Sequence, residues 1–320
     1  MTRRTLISLG SINADFQVRL DEPPGSRETL LAHDFSRFAG GKAANVAYLG
    51  ACFGHNSHLL GCIGDDGLAE QTLGAVKEAG ANVDRVYTVG GQATGVSMIM
   101  VPPDGKKHIV LATNANDHWP EAAIQQAVDA IVSAELPACL VVDYEVPAAV
   151  VRRAVDAARE RDIPVILDPS FPDRVDSKLL SSFHALTPNP DEAGGLVGVQ
   201  VKSLEDAARV ARQVRDDLGV EVVCIKLGDG GCMLAAPDTL VHVPADDVDV
   251  VDSTGAGDAF TGVFAIALLE GEAPRTAAAW GVAAANHAVT GYGSQPAYPD
   301  REQLRRRAEG ILQRVEMLDA

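Results

Sequence analysis

The sequence predicts an α/β protein: a three-layer α/β/α sandwich around a mostly parallel central sheet, with a small second β-sheet beside it. Three observations lead there. Short apolar, β-branched runs alternate with helical stretches along most of the chain, the pattern of strands joined by crossover helices. The polar residues that stand out as functional candidates, among them Asp168, Asn189, Gly228 and Asp252, follow directly after apolar runs. Ligands of open parallel sheets lie at those carboxyl ends. Finally, two regions contain no helix, so their strands need a sheet of their own.

Thr5–Ile12 reads as the first strand, and polar Asn13 and Asp15 interrupt it too soon for the apolar core of a signal peptide. Phe16–Phe38 is the first helix-free region, two strand-like segments around Pro23-Pro24-Gly25. Lys42–Phe53 is helical, Ser57–Ile63 a strand and Gly67–Ala79 a helix. The second helix-free region, Thr94–Thr113, pairs Gly95–Val101 with His108–Thr113 around Pro-Pro-Asp-Gly-Lys-Lys. Helices Pro120–Ser133 and Pro147–Arg161 then alternate with strands Ala138–Tyr144, Pro164–Asp168 and Ala185–Thr187. Leu204–Leu218 is a helix opened by a capping box at Ser203 and Asp206, and Glu221–Leu227 is a strand. Ala259–Leu269 is an apolar helix; Arg301–Val315 is a surface helix whose arginines are expected to be solvated. The expected division is a core of residues 1–12, 39–93 and 117–320, with 13–38 and 94–116 forming a separate antiparallel sheet. On pattern alone these two segments read equally well as edge hairpins of the main sheet.

Composition narrows the function. With 320 residues and 47% apolar side chains, the chain has the makings of a sizeable core, and no apolar run reaches the ~18 residues of a membrane span. The five cysteines include no Cys-x-x-Cys pair and have apolar neighbours, as buried thiols in a reducing, cytoplasmic setting do. A formal charge of −17 argues against nucleic acid as a partner.

The most informative segment is 252–262, Asp-Ser-Thr-Gly-Ala-Gly-Asp-Ala-Phe-Thr-Gly, between an apolar run and an apolar helix. Its glycines free the backbone to turn and to expose successive N–H groups, which with the helix N-terminus make a site for an anion. Asp258 then sets a carboxylate inside a site suited to anions. Read alone, that Asp is as well explained by the helix dipole.

The whole string closely resembles the C-terminal signature of the ribokinase-like sugar kinases, the phosphofructokinase-B family. Gly10-Ser11-Ile12-Asn13-Ala14-Asp15, Gly40-Gly41-Lys42-Ala43-Ala44-Asn45, Thr187-Pro188-Asn189-Pro190-Asp191-Glu192 and Gly293-Ser294-Gln295-Pro296 are similar to further motifs of that family, in family order. The resemblance implies a ribokinase-like sandwich whose small sheet is a lid over the sugar, and lids of this kind often pair into homodimers. It implies ATP and Mg²⁺ as cofactors.

Within that frame Asp258 takes the proton of the attacking hydroxyl, and the amides of Gly255, Ala256 and Gly257 hold the transferring phosphate. Asn13, Asp15, Gly41, Lys42, Asn45 and Glu145 map onto sugar-contacting positions; singly, each also reads as a turn or helix-start residue. Asn189 and Glu192, three apart, form a capping box on spacing alone, while the resemblance adds water-mediated Mg²⁺ and phosphate binding. Lys226, Gly228 and Gly231 resemble the nucleotide loop, although a plain hairpin turn uses the same glycines. Asn286 and His287, in the helix before the last loop, read as ordinary helix residues, with a place in the adenine pocket as the alternative. Asp252, Thr254, Ala288 and Gly293 match a monovalent-cation (K⁺) site, while Gly291 and Ala297 depart from the usual residues there.

No Gly-x₄-Gly-Lys-Ser/Thr loop or Gly-x-Gly-x-x-Gly after the first strand is present, which disfavours P-loop and dinucleotide enzymes. A catalytically silent sugar- or nucleotide-binding regulator on the same scaffold would lack the base or the glycines, and both are intact. The expected activity is ATP-dependent sugar phosphorylation. Ser-Ile-Asn-Ala-Asp and Gly-Gly-Lys point to D-ribose, giving ribose 5-phosphate, while Ala43 in place of glycine leaves fructose, 2-keto-3-deoxygluconate or a nucleoside open.

Overall fold

The computed structural model describes residues 3–25 and 29–318; residues 26–28 of the first helix-free region, and the ends 1–2 and 319–320, lie outside the described residues. In chain order the elements are β1 (Thr5–Leu9), β2 (Asn13–Leu20), β3 (Ala32–Gly40), α1 (Lys42–Cys52), β4 (Asn56–Gly64), α2 (Leu68–Glu78), β5 (Val86–Val89), β6 (Gly95–Val101) and β7 (His108–Ala112). There follow α3 (Glu121–Val132), β8 (Ala138–Asp143), α4 (Ala148–Arg159), β9 (Val165–Asp168), β10 (Ala185–Leu186), α5 (Pro190–Val197), α6 (Leu204–Leu218) and β11 (Val222–Lys226). The chain ends through β12 (Cys232–Ala236), β13 (Thr239–Val243), α7 (Ala256–Glu270), α8 (Pro274–Ala288), α9 (Arg301–Leu312) and β14 (Glu316–Met317).

The large sheet runs β14-β13-β12-β11-β10-β9-β8-β1-β4-β5. From β5 to β11 every pairing is parallel, and β12, β13 and β14 add an antiparallel edge. Helices cover both faces, so the central strands are apolar on both sides: all six residues of β8 are buried. Alternation still sorts them, with Ile7 and Leu9 packing among α3, α4 and α6 residues and Leu6 among those of α1, α7 and α8. The α7 helix is apolar almost all round because α1 and α8 enclose it.

The second sheet has the order β3-β2-β6-β7 and stands apart from the first. Its centre corrects one expectation. The β2/β3 and β6/β7 pairs are antiparallel, but β2 and β6 pair in parallel, Asn13 opposite Gly95 through Arg19 opposite Val101. Between them the chain crosses through α1, β4, α2 and β5, and so returns in the same direction.

Two local expectations also change. At the start of α6 the Ser203 hydroxyl accepts from Asp206 N, but Asp206 accepts from Lys202 N instead of closing the box. Arg301 of α9 is not a solvated arginine: it grips the Glu270 carboxylate and lies over the rings of Phe53 and Trp280.

Candidate active site

Two adjoining cavities open at the carboxyl ends of the parallel strands, of about 430 and 460 Å³, and share Lys226, Leu227, Gly228 and Gly257. The first is lined by Asn13, Asp15, Gly41, Lys42, Asn45 and Glu145, all six expected sugar contacts, together with Asn189, Glu192, Thr254, Gly255 and Asp258. The second is lined by Gly231, Ala256 and Asn286 among others; Asp252, Ala288 and Gly293 line neither.

Asp258 sits in the first turn of α7, whose N-cap Gly255 has φ 74°, left-handed backbone that glycine accepts freely. A Cβ there would also fall 2.5 Å from the Ser294 Cβ. The Ala256 N–H reaches the Ser253 carbonyl at 3.4 Å, whereas among the described residues the N–H groups of Gly255 and Gly257 meet no acceptor. The Asp258 carboxylate is held from two directions by α1. Lys42 Nζ donates to Oδ1 at 3.3 Å and Asn45 Nδ2 to Oδ2 at 2.7 Å. Asn45 is itself oriented, its Oδ1 accepting from Gln295 Nε2 at 3.1 Å.

Behind this pair lies Asp168, at the end of β9, which takes Lys42 Nζ at 3.2 Å, Lys226 Nζ at 2.8 Å and the Thr261 hydroxyl at 3.1 Å. Burial opposes its charge, but Lys226 and Lys42 outweigh burial and hold the carboxyl below the usual carboxylate range. Burial likewise opposes the Lys42 ammonium, and Asp168, Asp258, Glu145 and Glu192 more than restore it, to well above the ordinary lysine value. Lys226 therefore packs against Asp168 with its ammonium near Gly257, where a Cβ would meet Nζ at 3.6 Å.

The opposite wall comes from the small sheet. Asn13 Oδ1 accepts from Asn116 Nδ2 at 2.8 Å, and Asn116 also binds both backbone groups of Ile12. Asp15, beside the Ser97 hydroxyl, is pushed up to about 7, first by burial and then by Asp258 and Glu145. Burial also raises Glu145, against the pull of Lys42 and Ser11.

Asn189 and Glu192 form the capping box in full, Asn189 Oδ1 accepting from Glu192 N and Glu192 Oε2 from Asn189 N, both at 2.8 Å. Both still line the cavity. The 227–231 stretch is a hairpin turn between β11 and β12 and also walls the second cavity. Asn286 clamps that wall: Nδ2 donates to the Gly230 carbonyl and Oδ1 accepts from Asp246 N.

Asp252, fully buried, accepts from Thr254 N and Oγ1 through Oδ1, and from Gly293 N and Gln17 Nε2 through Oδ2. Among the described residues no cationic side chain pairs with it, and Gln17 Oε1 is buried without a partner. A buried carboxylate without a counter-charge, next to an orphan oxygen, fits a monovalent cation.

Sequence reasoning missed Thr261, Asn116, Gln17 and Lys107 at the site and gave Asp168 no role. Asp168 was visible only as a polar residue ending an apolar run, and the Lys-Lys of the hairpin tip was the sole signal for Lys107.

Two adjoining cavities that meet beside the N-terminus of α7, one of them lined by Asp258, suit a phosphotransferase, and the comparisons agree. The model of the pfkB family of carbohydrate kinases matches residues 3–301, and the chain belongs to that family. It is an ATP-dependent sugar kinase of the ribokinase-like kind. The ribokinase of Haemophilus influenzae is 33% identical over 301 residues, 94% of this chain and 97% of its own. The deoxyribokinase of Salmonella typhi is 30% identical, covering 92% and 96%. The structure of Arabidopsis thaliana ribokinase complexed with ribose and ATP superposes with a TM-score of 0.82 at 28% identity, covering 97% and 99%.

Proposed function

We propose that this chain phosphorylates D-ribose to ribose 5-phosphate. The observation that carries the reading is Asp258, bound by Lys42 and Asn45, standing at the mouth of the α7 N-terminus where the two cavities meet. A sugar in the first cavity, held by Asn13, Asp15, Gly41, Lys42, Asn45 and Glu145, would present its hydroxyl to that carboxylate. The hydroxyl oxygen attacks the γ-phosphorus and its proton passes to Asp258. The bond to the β–γ bridging oxygen breaks, and its electron pair leaves on ADP. The free N–H groups of Gly255 and Gly257 receive charge on the transferring oxygens, with Ala256 contributing less because its N–H faces Ser253. The shared wall of Lys226, Gly228 and Gly257, continued by Gly231, holds the nucleotide.

Asn189 and Glu192 would hold Mg²⁺ through water; among the described residues no cluster of three His, Cys, Asp or Glu is set to bind a metal directly. Mg²⁺ would neutralise the phosphates. Asp252, Thr254, Ala288 and Gly293, joined by Gln17, would hold K⁺. The segments 13–38 and 94–116 would act as a lid, and the lid would pair with that of a second copy. Its outer face supports this: Phe35, Met98 and Val110 are all more than half exposed, and Phe16 stacks on Phe35. Five free thiols suit a cytoplasmic protein.

An ADP-release assay over ribose, 2-deoxyribose, fructose, 2-keto-3-deoxygluconate and adenosine tests the reading. Ribose is expected to give the highest kcat/KM. A preference for 2-deoxyribose, in line with the Salmonella relative, would overturn ribose and leave the kinase class standing.

A further inference from the structure

The tip of the small sheet reaches across the cleft and is fastened to the loop that precedes α7. Ser253 N and Oγ both donate to the Gly105 carbonyl, at 3.2 and 2.9 Å, and Lys107 Nζ donates back to the Ser253 carbonyl at 2.8 Å. That carbonyl lies two residues before Gly255. Lys107 thereby lines the first cavity with Asp258, Gly255 and Gly257, while its neighbour Lys106 lines the second.

The three lysines around the first cavity differ in one respect. Lys42 is paired with Asp168 and Asp258, and Lys226 with Asp168. Lys107 has only a neutral carbonyl; among the described residues no carboxylate lies within ion-pair reach of it. Burial depresses its pKa, and Asp258, Asp252 and Asp15 compensate only from a distance while Lys42 repels it. A part-buried ammonium without an anion, in the same cavity as amides without an acceptor, lacks one ligand, and a phosphate oxygen satisfies both.

We propose that Lys107 is a catalytic residue that the small sheet delivers on closing, its ammonium binding the γ-phosphoryl oxygens of ATP beside the Gly255 and Gly257 amides. The inference rests on the kinase reading of the site. Lys107 exchanges no proton; the hydroxyl proton still goes to Asp258 and the bridging electron pair to ADP. Its charge favours the transfer only when the tip is down over the site, which ties turnover to closure.

The test uses Lys107→Gln, which keeps a donor for the Ser253 carbonyl but removes the charge, and Lys107→Arg, which keeps the charge. Relative to the parent, Lys107→Gln is expected to lose about 100-fold in kcat/KM for ATP, the scale of losing one charge-stabilising donor, with Lys107→Arg recovering at least about a tenth of parent activity. Calorimetry adds a readout that needs no turnover. Lys107→Gln should weaken the non-hydrolysable triphosphate AMP-PNP about tenfold, with Mg²⁺ present, and leave ADP and sugar affinity within about threefold. Parent-like kcat/KM together with a parent-like AMP-PNP to ADP ratio in Lys107→Gln would overturn the proposal. Equal weakening of ADP and AMP-PNP would overturn it too, because the residue would then serve the tip's position and not the γ-phosphate. A parent that turns over no sugar refutes the kinase reading instead, and the AMP-PNP to ADP ratio still decides the role of Lys107.

Discussion

Asp15→Asn should make the protein more stable and less able to bind sugar, and the gain in stability should depend on pH in one direction. Asp15 is 5% exposed on β2, and burial, reinforced by Asp258 and Glu145, lifts its pKa from 3.8 to about 7 despite the Ser97 hydroxyl and Lys107. The folded chain therefore holds this proton more tightly than the unfolded chain does. Between about pH 4 and pH 7 the native state binds the extra proton, so stability falls as pH rises through that window. Above it both states are ionised and the folded state bears the whole cost, about 4 kcal/mol for three pKa units as an upper limit. An asparagine has no such charge to bury. In urea titrations Asp15→Asn should exceed the parent by roughly 2–4 kcal/mol at pH 8, with the gap closing toward pH 5. Ribose binding should weaken at least tenfold, since the amide no longer accepts from two hydroxyls as a carboxylate does. A stability difference that stays flat from pH 5 to 8 would refute the argument that burial of a charge is what strains this position.

Asp258→Asn should keep its fold and bind sugar while kcat falls by about 10²–10⁴-fold, the usual scale for losing a general base; a kcat within a few-fold of the parent removes Asp258 from that role. Exchanging Na⁺ or Tris for K⁺ should raise activity and the melting temperature together, because a cation beside Asp252 binds the folded state; unchanged values in both would dismiss the site. Asp168→Asn should cost about 3–5 kcal/mol in denaturant titrations, since Lys42 and Lys226 both lose their buried partner; a loss under about 1 kcal/mol would show the lysines finding other anions.

What the sequence made legible at the site is what lies in short strings. The 252–262 turn, the Gly40–Asn45 stretch and the Asn189–Glu192 pair each declare themselves locally, and the fold brings them to one cleft. What stayed hidden depends on pairings with no local signature. Asp168 meets lysines 126 residues before it and 58 after it, and Gln17 reaches Asp252 across 235 positions. The parallel β2/β6 pairing was invisible for the same reason: Gly95–Val101 read correctly and β2 only in its second half, and their relative direction is set by the crossover between them. The full Asn189–Glu192 capping box shows the opposite case, where spacing alone had already pointed to the geometry observed.

The two glycines of the turn are there for different reasons, and the difference bears on function. Gly255 is demanded by the backbone, at φ 74° with Ser294 and Tyr298 pressed against the space a Cβ would fill. Gly257 is not. Its φ is not left-handed, and the nearest atom to a Cβ would be Lys226 Nζ at 3.6 Å, an ordinary contact. Helix propensity would favour alanine there by about 1 kcal/mol. Neither packing nor conformation accounts for a bare backbone at 257, so the remaining reason is access to its N–H. An anion approaching that amide would meet the Lys226 ammonium beside it, in the cavity that Gly255 and Lys107 also line. This also answers how a chain of charge −17 accepts ATP. At physiological salt, exposed charges beyond about 8 Å are largely screened. The nucleotide then responds chiefly to these few local donors, and a missing methyl group at 257 is what leaves them in reach.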